Sequence, residues 1–258
     1  MNHDYGNSLC ISTQVGCNMS CAFCESGRLK KVRNLESCEM VEQILQIEEE
    51  LKLRITHLVL MGIGEPFDNY DNVVKFLRLI TNTDGFNVSE RNISLSTCGL
   101  VDRIKMLMEE DLPITLSISL HAPDDETRSA IMPINNRWGV AELLDTCRAY
   151  FAHTGRKISF EYTLISGKND SREAALSLAA LLNKHLRSAT DTMPIHVNLI
   201  PVNPVTESGF SSSEKKTVED FAATLERKGI RATVRRTLGA DINASCGQLR
   251  REEEQNKN

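Results

Sequence analysis

Residues 55–81 read ITHLVLMGIGEPFDNYDNVVKFLRLIT: a short apolar run, a glycine-containing loop and an amphipathic segment, in that order. The apolar run over 55–61 is followed by Gly62 and Gly64, which predicts a short buried strand that ends there. Apolar side chains then recur at helical spacing over 71–81, which predicts a helix. A strand followed directly by a helix is the repeating unit of a parallel sheet, because the helix returns the chain to the edge where the next strand begins.

The same strand–helix unit recurs along the chain. Further strands are predicted over 9–14, 92–97, 114–121, 157–164, 195–200 and 231–236. Further helices are predicted over 39–53, 101–110, 140–151, 171–186 and 213–228. Regular alternation implies parallel strands joined by right-handed crossovers, so we predict an α/β fold with a partial (β/α)6 TIM-like barrel. An open doubly wound sheet is the alternative, although no G-x-G-x-x-G follows the first strand.

Length and composition limit the remaining possibilities. The 258 residues are 41% hydrophobic and 25% charged, which suits a packed domain and excludes a globally disordered chain. We expect one core domain over residues 1–249 and a flexible polar tail over 250–258. No apolar run approaches the roughly 20 residues of a membrane helix, and the first residues lack a secretory pattern, so a cytoplasmic protein is expected. The net charge of −5 argues against wrapping nucleic acid through bulk charge.

Eight cysteines are present, and three of them lie in Cys17-Asn-Met-Ser-Cys21-Ala-Phe-Cys24. In a chain without a secretory signal, this clustering indicates a reduced compartment and a metal or cluster site. Three thiolates from one loop can hold three irons of a cubane cluster and leave the fourth iron open to a ligand that is not protein. Structural zinc normally has four ligands in two pairs, so zinc would need a distant ligand such as Cys10 or Cys38.

The C-x3-C-x2-C loop resembles that of the radical S-adenosylmethionine (SAM) superfamily, in which the amino and carboxylate groups of SAM chelate the open iron. Gly64-Glu65-Pro66 resembles the GGEP-type motif of that superfamily. The chain further resembles the RlmN/Cfr family, radical SAM methyltransferases that methylate an adenine carbon in RNA. The strings that carry this resemblance are Cys10-Ile-Ser-Thr-Gln-Val-Gly-Cys17, Met61-Gly-Ile-Gly-Glu-Pro66, Leu95-Ser-Thr-Cys-Gly99, Ser119-Leu-His-Ala-Pro123, Met132-Pro-Ile-Asn135, Phe160-Glu-Tyr-Thr-Leu164, Asn198-Leu-Ile-Pro-Val-Asn-Pro204 and Gly239-Ala-Asp-Ile-Asn-Ala-Ser-Cys-Gly-Gln-Leu249.

The resemblance implies two cofactors, a 4Fe–4S cluster and SAM. The implied cluster ligands are Cys17, Cys21 and Cys24. The implied SAM contacts are Gly64, Glu65, Ser96, Ser119, Leu120, His121 and Asn203. From the residues alone, the two serines can instead cap turns, and His121 can be a hydrogen-bonded core histidine.

The resemblance also implies catalytic roles for Cys246 and Cys10. Cys246 takes a methyl group from one SAM, and a second SAM yields the 5′-deoxyadenosyl radical that activates this methyl group for addition to adenine. Cys10 then attacks the sulfur of Cys246, which releases the methylated base and leaves a disulfide between the two residues. From the residues alone, the favoured interpretation is that both are buried core thiols, the commonest environment of a free cysteine. The remaining cysteines match no role in the family: Cys38, Cys98 and Cys147.

The implied substrate is RNA: 23S rRNA, modified at carbon 2 or carbon 8 of an adenine, and tRNA. The implied electron donor is a flavodoxin or a ferredoxin, and we expect a monomer. Family members carry an RNA-binding accessory domain with a general-base glutamate ahead of the barrel, whereas nine residues precede Cys10 here. The chain is interpreted either as a fragment or as a short relative in which Glu161 or Asp4 replaces that base.

RNA contact is then expected at two basic sets near the mouth of the barrel. The first set is Arg28, Lys30, Lys31 and Arg33, and the second is Arg231, Arg235 and Arg236. A solvated charged loop is the alternative for the first set. Two other functions stay open: a radical SAM enzyme with a different substrate, and a non-catalytic iron–sulfur or zinc protein used for redox sensing or as a scaffold.

Overall fold

The computed structural model describes residues 2–3, 6–28, 30–187, 193–202 and 209–235. The strands are β1 (Asn2–His3), β2 (Gly6–Cys10), β3 (Gln14–Val15), β4 (Arg33–Asn34), β5 (Ile55–Leu60), β6 (Ile93–Thr97), β7 (Thr115–Ser119), β8 (Ile158–Leu164), β9 (His196–Pro201) and β10 (Arg231–Val234). The α-helices are α1 (Glu25–Arg28), α2 (Ser37–Leu51), α3 (Tyr70–Thr81), α4 (Val101–Met108), α5 (Asp125–Ile131), α6 (Val140–Thr154), α7 (Arg172–Leu186) and α8 (Lys215–Arg227).

One sheet organises the molecule, with strand order β1-β2-β5-β6-β7-β8-β9-β10. All of its neighbouring strands are parallel except β1, which is antiparallel to β2. Within the described residues β1 and β10 do not pair, so the sheet stays open. The order follows the chain without reversing, which excludes a doubly wound sheet because that fold needs a switch point. The predicted partial barrel is confirmed.

The two faces of the sheet differ in chemistry because side chains alternate along each strand. Leu58, Leu95, Leu116 and Phe160 are fully buried and form one hydrophobic core with the helices. The opposite face, here called the polar face, carries polar side chains, most of them only partly buried. The residues of the polar face are Ser94, Ser96, Thr115, Ser117, Ser119, Ser159, Glu161, His196, Asn198 and Thr233. Parallel sheets are usually covered on both faces, so a half-open polar face suits ligand binding.

The first predicted strand was wrong in its bounds. The sheet strand ends at Cys10, and Gln14–Val15 pairs instead with Arg33–Asn34 in a separate two-stranded sheet. The chain turns away from the sheet at Ile11. The side chain of Ile11 is fully buried, and its backbone amide and carbonyl still form hydrogen bonds with residues at the end of β5. The chain leaves the sheet there because residues 12–14 bind the loop that follows β5.

Helix α5 was missed by the sequence analysis. It begins after Asp124, whose carboxylate accepts a hydrogen bond from the Thr127 amide at 2.7 Å. An aspartate cap with acidic residues in the first turn is a recognised start signal, but seven residues are too few to show helical periodicity.

The other predicted helices and strands are present with modest shifts at their ends.

No helix in the described ranges combines the length and the apolar character needed to cross a bilayer. The predicted tail over 250–258 and the end of the predicted core domain lie outside the described residues.

Candidate active site

Two loops at the carboxyl end of the sheet bind each other through their backbones. The Ile63 carbonyl accepts from the amides of Thr13 and Gln14 at 3.0 and 3.1 Å, and the Gly62 amide donates to the Ile11 carbonyl at 3.0 Å. This joins the segment that leads into the cysteine loop to the loop that follows β5. The contact is close: a Cβ built on Gly62 would lie 2.6 Å from the carbonyl oxygen of Ile11.

Replacing Gly62 with alanine is therefore expected to destabilise the protein by roughly 1–3 kcal/mol, because the added methyl group overlaps backbone that cannot move freely. The free energy of unfolding in a denaturant titration measures this effect. Gly85→Ala is the matched control, because the nearest atom to its Cβ would be 3.6 Å away on an exposed turn. Equal stability of the two variants would contradict the close approach of the two loops.

Gly64 and Glu65 are fixed by Gln14. Gly64 has a φ of +108°, which favours glycine, and the amide of Glu65 donates to Gln14 Oε1 at 2.9 Å. The amide group of Gln14 also donates to Asn34 Oδ1 and Asp68 Oδ2, both at 2.9 Å. Gln14 therefore links three segments around the cysteine loop. The sequence analysis assigned it no role, and a hydrophobic pattern carries no signal for such a side chain.

The Glu65 carboxylate is buried and hydrogen-bonded on both oxygens. Oε1 accepts from the amide of Phe67 at 3.1 Å, and Oε2 accepts from the amide of Cys98 at 2.8 Å. Burial raises the pKa of Glu65, and these hydrogen bonds oppose that rise by stabilising the charged form. The carboxylate thus ties the loop after β5 to the loop after β6, in addition to the SAM contact that the resemblance predicts.

The three clustered thiols lie close enough to influence one another. Burial raises the pKa of Cys17 to about 11, with a further contribution from Cys24. Burial likewise raises the pKa of Cys21, and both Cys24 and Cys17 add to the rise. Because the three side chains would repel one another as thiolates, a bound multivalent cation would stabilise the deprotonated form that binds metal.

The chemistry of the three thiols suits an iron–sulfur cluster. They lie near enough to one another to add to the pKa rise of Cys17 and Cys21, and thiolates from one loop can each bind a different iron of a cubane. Zinc would need a fourth ligand, and both candidates, Cys10 and Cys38, are exposed. The three thiols therefore fit a 4Fe–4S cluster.

His121 is held in one tautomer beside the cysteine loop. Its Nδ1 accepts from the Thr163 amide at 2.9 Å, which leaves the ring proton on Nε2. Burial lowers the pKa of His121 to about 3, so the ring is neutral at physiological pH. The ring packs edge-on against Phe23, between Cys21 and Cys24, with 4.6 Å between the ring centroids. His121 also has a positive φ of 57°, which bends the chain sharply after β7.

The other predicted SAM contacts divide into two groups. Ser96 and Ser119 lie on the polar face at the carboxyl ends of β6 and β7, and both are partly exposed. Leu120 is fully buried, and its amide donates to the Glu161 carbonyl at 3.0 Å. Asn203 lies outside the described residues. Ser96 and Ser119 therefore lie in neighbouring strands of one face, and their contacts with SAM stay a prediction.

Glu161 belongs to a group of polar side chains in hydrogen-bonding contact on the polar face. Its two oxygens accept from Ser159 Oγ at 2.9 Å and from Asn198 Nδ2 at 2.7 Å. His196 bonds Ser159 at 3.2 Å and Thr233 at 2.9 Å, and Thr233 donates to Asn198 at 3.3 Å. Burial raises the pKa of Glu161. Hydrogen bonds to both carboxylate oxygens hold the Glu161 side chain in place on this face, and its role as the general base stays a prediction. Asp4, the other candidate, lies outside the described residues.

The first basic set is largely neutralised by ion pairs. Lys31 bonds Asp68 at 2.8 Å, and Arg33 bonds both carboxylate oxygens of Glu39 at 2.6 and 2.7 Å. Arg28 lies 3.7 Å from Glu25. These pairs reduce the charge that the set offers to RNA. In the second set, Arg231 and Arg235 are exposed and Arg236 lies outside the described residues.

Cys10 is exposed at the end of β2 and pairs in register with Val59, the neighbour of Ser94. The core-thiol interpretation of Cys10 is therefore wrong, because a core thiol would be buried. Cys246, its predicted reaction partner, lies outside the described residues. Cys147 is fully buried, and Cys98 is buried beside Glu65.

Comparison with known proteins places this arrangement in a family. The model of the Radical SAM superfamily matches residues 11–179. A "probable dual-specificity RNA methyltransferase RlmN" from Clostridium acetobutylicum is 52% identical over 251 residues, which cover 97% of this chain and 70% of the relative. Another from Desulforamulus reducens is 51% identical and covers 97% of this chain and 69% of the relative. The chain belongs to the RlmN family of the radical SAM superfamily.

Solved structures agree with this assignment. A radical SAM methyltransferase from Sphaerobacter thermophilus has a TM-score of 0.89 and 40% identity, over 96% of this chain and 71% of that one. Streptococcus suis SuiB, solved with SAM bound, has a TM-score of 0.61 at 12% identity over 89% of this chain and 47% of its own, so that likeness concerns the fold alone. Membership in this family confirms the predicted cofactors, a 4Fe–4S cluster and SAM.

Proposed function

We propose that this chain is a radical SAM methyltransferase that methylates an adenine carbon of RNA. The observation that carries the proposal is the similarity to RlmN relatives over 97% of the chain, which spans both the cysteine loop and the polar face. We assign 23S rRNA as the main substrate, with carbon 2 or carbon 8 as the methylated atom, and tRNA as a second substrate.

The residues around the cysteine loop have distinct proposed tasks. Cys17, Cys21 and Cys24 would hold the cluster, which supplies the electron that cleaves bound SAM. Gly64 offers a backbone without a side chain and Glu65 a buried carboxylate, and both suit the ammonium group of SAM. Ser96 and Ser119 would bind the ribose and adenine. We assign Leu120, His121 and Asn203 to the same pocket.

Two cysteines are proposed to carry out the methyl transfer. Cys246 would receive the methyl group, and Cys10 would release the product by attacking the sulfur of Cys246, which forms a disulfide between them. The exposure of Cys10 at the rim of the polar face supports this role, since an attacking thiol must be reachable.

The remaining partners are proposed from the same resemblance. An electron would come from a flavodoxin or a ferredoxin, and the protein would act as a monomer in the cytoplasm. We assign RNA contact to Lys30, Arg231 and Arg235 rather than to the whole first basic set, because Lys31, Arg33 and Arg28 lie near carboxylates.

The proposal is tested by analysing the nucleosides of rRNA from a strain in which the gene for this protein is deleted. Mass spectrometry is expected to show loss of one carbon-methylated adenosine, its return on complementation with the unaltered chain, and no return with Cys246→Ala. Cys38→Ser, an exposed cysteine on α2, is the matched control and should restore the nucleoside. Unchanged methyladenosine in the deletion strain would contradict the proposed substrate and favour a radical SAM enzyme with a different one.

A further inference from the structure

Arg128, on α5, is a fully buried cation that binds backbone carbonyls. Its Nε donates to the Leu120 carbonyl at 3.1 Å, and Nη2 donates to the carbonyls of Cys98 and Ser119 at 2.7 and 3.0 Å. Nη1 donates to Asn135 Oδ1 at 3.0 Å. Arg128 is 0% exposed, and no carboxylate in the described residues forms an ion pair with it.

A buried charge without a paired carboxylate destabilises the folded protein, so the presence of an arginine at this buried position needs an explanation. Burial lowers the pKa of Arg128, but a guanidinium stays protonated in proteins. The charge is compensated by three carbonyl oxygens that belong to the ends of two different strands, β6 and β7. An apolar side chain could fill this space without that cost. We therefore attribute the presence of an arginine here to the hydrogen bonds that its guanidinium group donates.

The helix that carries Arg128 also holds the cysteine loop. The Ala22 amide, between Cys21 and Cys24, donates to the carbonyl of Ile131 at the end of α5, at 2.9 Å. Asn135 in turn donates to the carboxylate and carbonyl of Asp125 at the start of the helix. One short helix therefore contacts the cysteine loop and the loops after β6 and β7 together.

We propose that Arg128 is a positioning residue that sets the spacing of these loops and thereby allows the site to bind SAM. The proposal rests on the proposed function, because the assigned SAM contacts include Ser96 and Ser119 at the ends of β6 and β7 and His121 in the loop after β7. Arg128 itself touches carbonyls rather than ligand. Lysine cannot replace it, because an ammonium group is a compact donor that cannot span the carbonyls of both loops in one plane.

The test compares Arg128→Lys with Arg156→Lys in the full chain after anaerobic reconstitution. Arg156 is the matched control: its Nη2 donates to Thr115 Oγ1 at 3.0 Å, at the opposite end of β7 from the site. Arg128→Met is a second variant that removes both the charge and the donors. The readouts are iron per chain, the change that added SAM causes in the electron paramagnetic resonance spectrum of the reduced cluster, and the KM for SAM against kcat.

We expect Arg128→Lys to keep its iron while its affinity for SAM falls at least about tenfold, with KM rising far more than kcat falls. Arg128→Met should lose at least as much affinity, and Arg156→Lys should match the unaltered chain. If Arg128→Lys binds SAM with an affinity within about twofold of that of the unaltered chain, the inference is overturned. The proposed function is not affected by that result. An unaltered chain that binds iron but no SAM would overturn both.

Discussion

Replacing Cys21 with serine is expected to reduce the iron bound after anaerobic reconstitution to near zero and the formation of 5′-deoxyadenosine to background. Serine offers a harder oxygen ligand that binds iron–sulfur clusters poorly, and the two remaining thiolates cannot hold three corners of a cubane. Iron and sulfide analysis, the absorbance of the cluster and chromatography of SAM cleavage products measure the effect.

Cys38→Ser is the control for this experiment. Cys38 is exposed on α2 and was a candidate fourth ligand only if the loop bound zinc. The account predicts that Cys38→Ser keeps full iron content and full SAM cleavage. Loss of metal from the Cys38 variant together with retention in the Cys21 variant would contradict the cluster assignment and favour the zinc scaffold.

Replacing Cys10 with alanine is expected to stop turnover after the methyl carbon has been joined to RNA. Without the second thiol, the sulfur of Cys246 stays bonded to the modified base, so a covalent complex of protein and RNA accumulates. SAM cleavage and cluster content should stay near those of the unaltered chain, because Cys10 lies on β2 and outside the cysteine loop. Denaturing gel electrophoresis with labelled RNA detects the complex.

Two further variants serve as controls for the Cys10→Ala experiment. The double variant Cys10→Ala with Cys246→Ala should form no complex, because no methyl carbon is carried on the protein. Cys38→Ser should release product normally. Free methylated RNA at the normal rate from Cys10→Ala would contradict the proposed role of Cys10 and place the resolving group elsewhere.

The sequence was sufficient to predict the barrel because most strands of the parallel sheet are largely apolar runs that alternate with helices along the chain. The residues over 55–81 show this most clearly, since β5 and α3 end within a residue of the predicted limits. Short elements were not predictable in the same way. Helix α5 and the pair β3–β4 are fixed by tertiary hydrogen bonds rather than by periodicity, and periodicity needs several turns to be detected.

Site residues with motif spacing could be predicted, whereas the side chains that position them could not. The cysteine loop and Gly64-Glu65 stand out because their spacing is chemically specific. Gln14 and Arg128 act through contacts with residues distant in sequence, and polar side chains of this kind give no local pattern. The same limit applies to the first basic set: counting charges could not show that Arg33 is paired with Glu39.

The most direct test is SAM cleavage by the unaltered chain, the reference for the Cys21 experiment. Reconstituted anaerobically with iron and sulfide, reduced with dithionite and given SAM, the protein should form 5′-deoxyadenosine and methionine. It should also show a cluster spectrum that changes when SAM is added. A chain that binds no iron, or that binds iron and leaves SAM intact, would contradict the claim that these three thiols hold a cluster with one iron open to SAM.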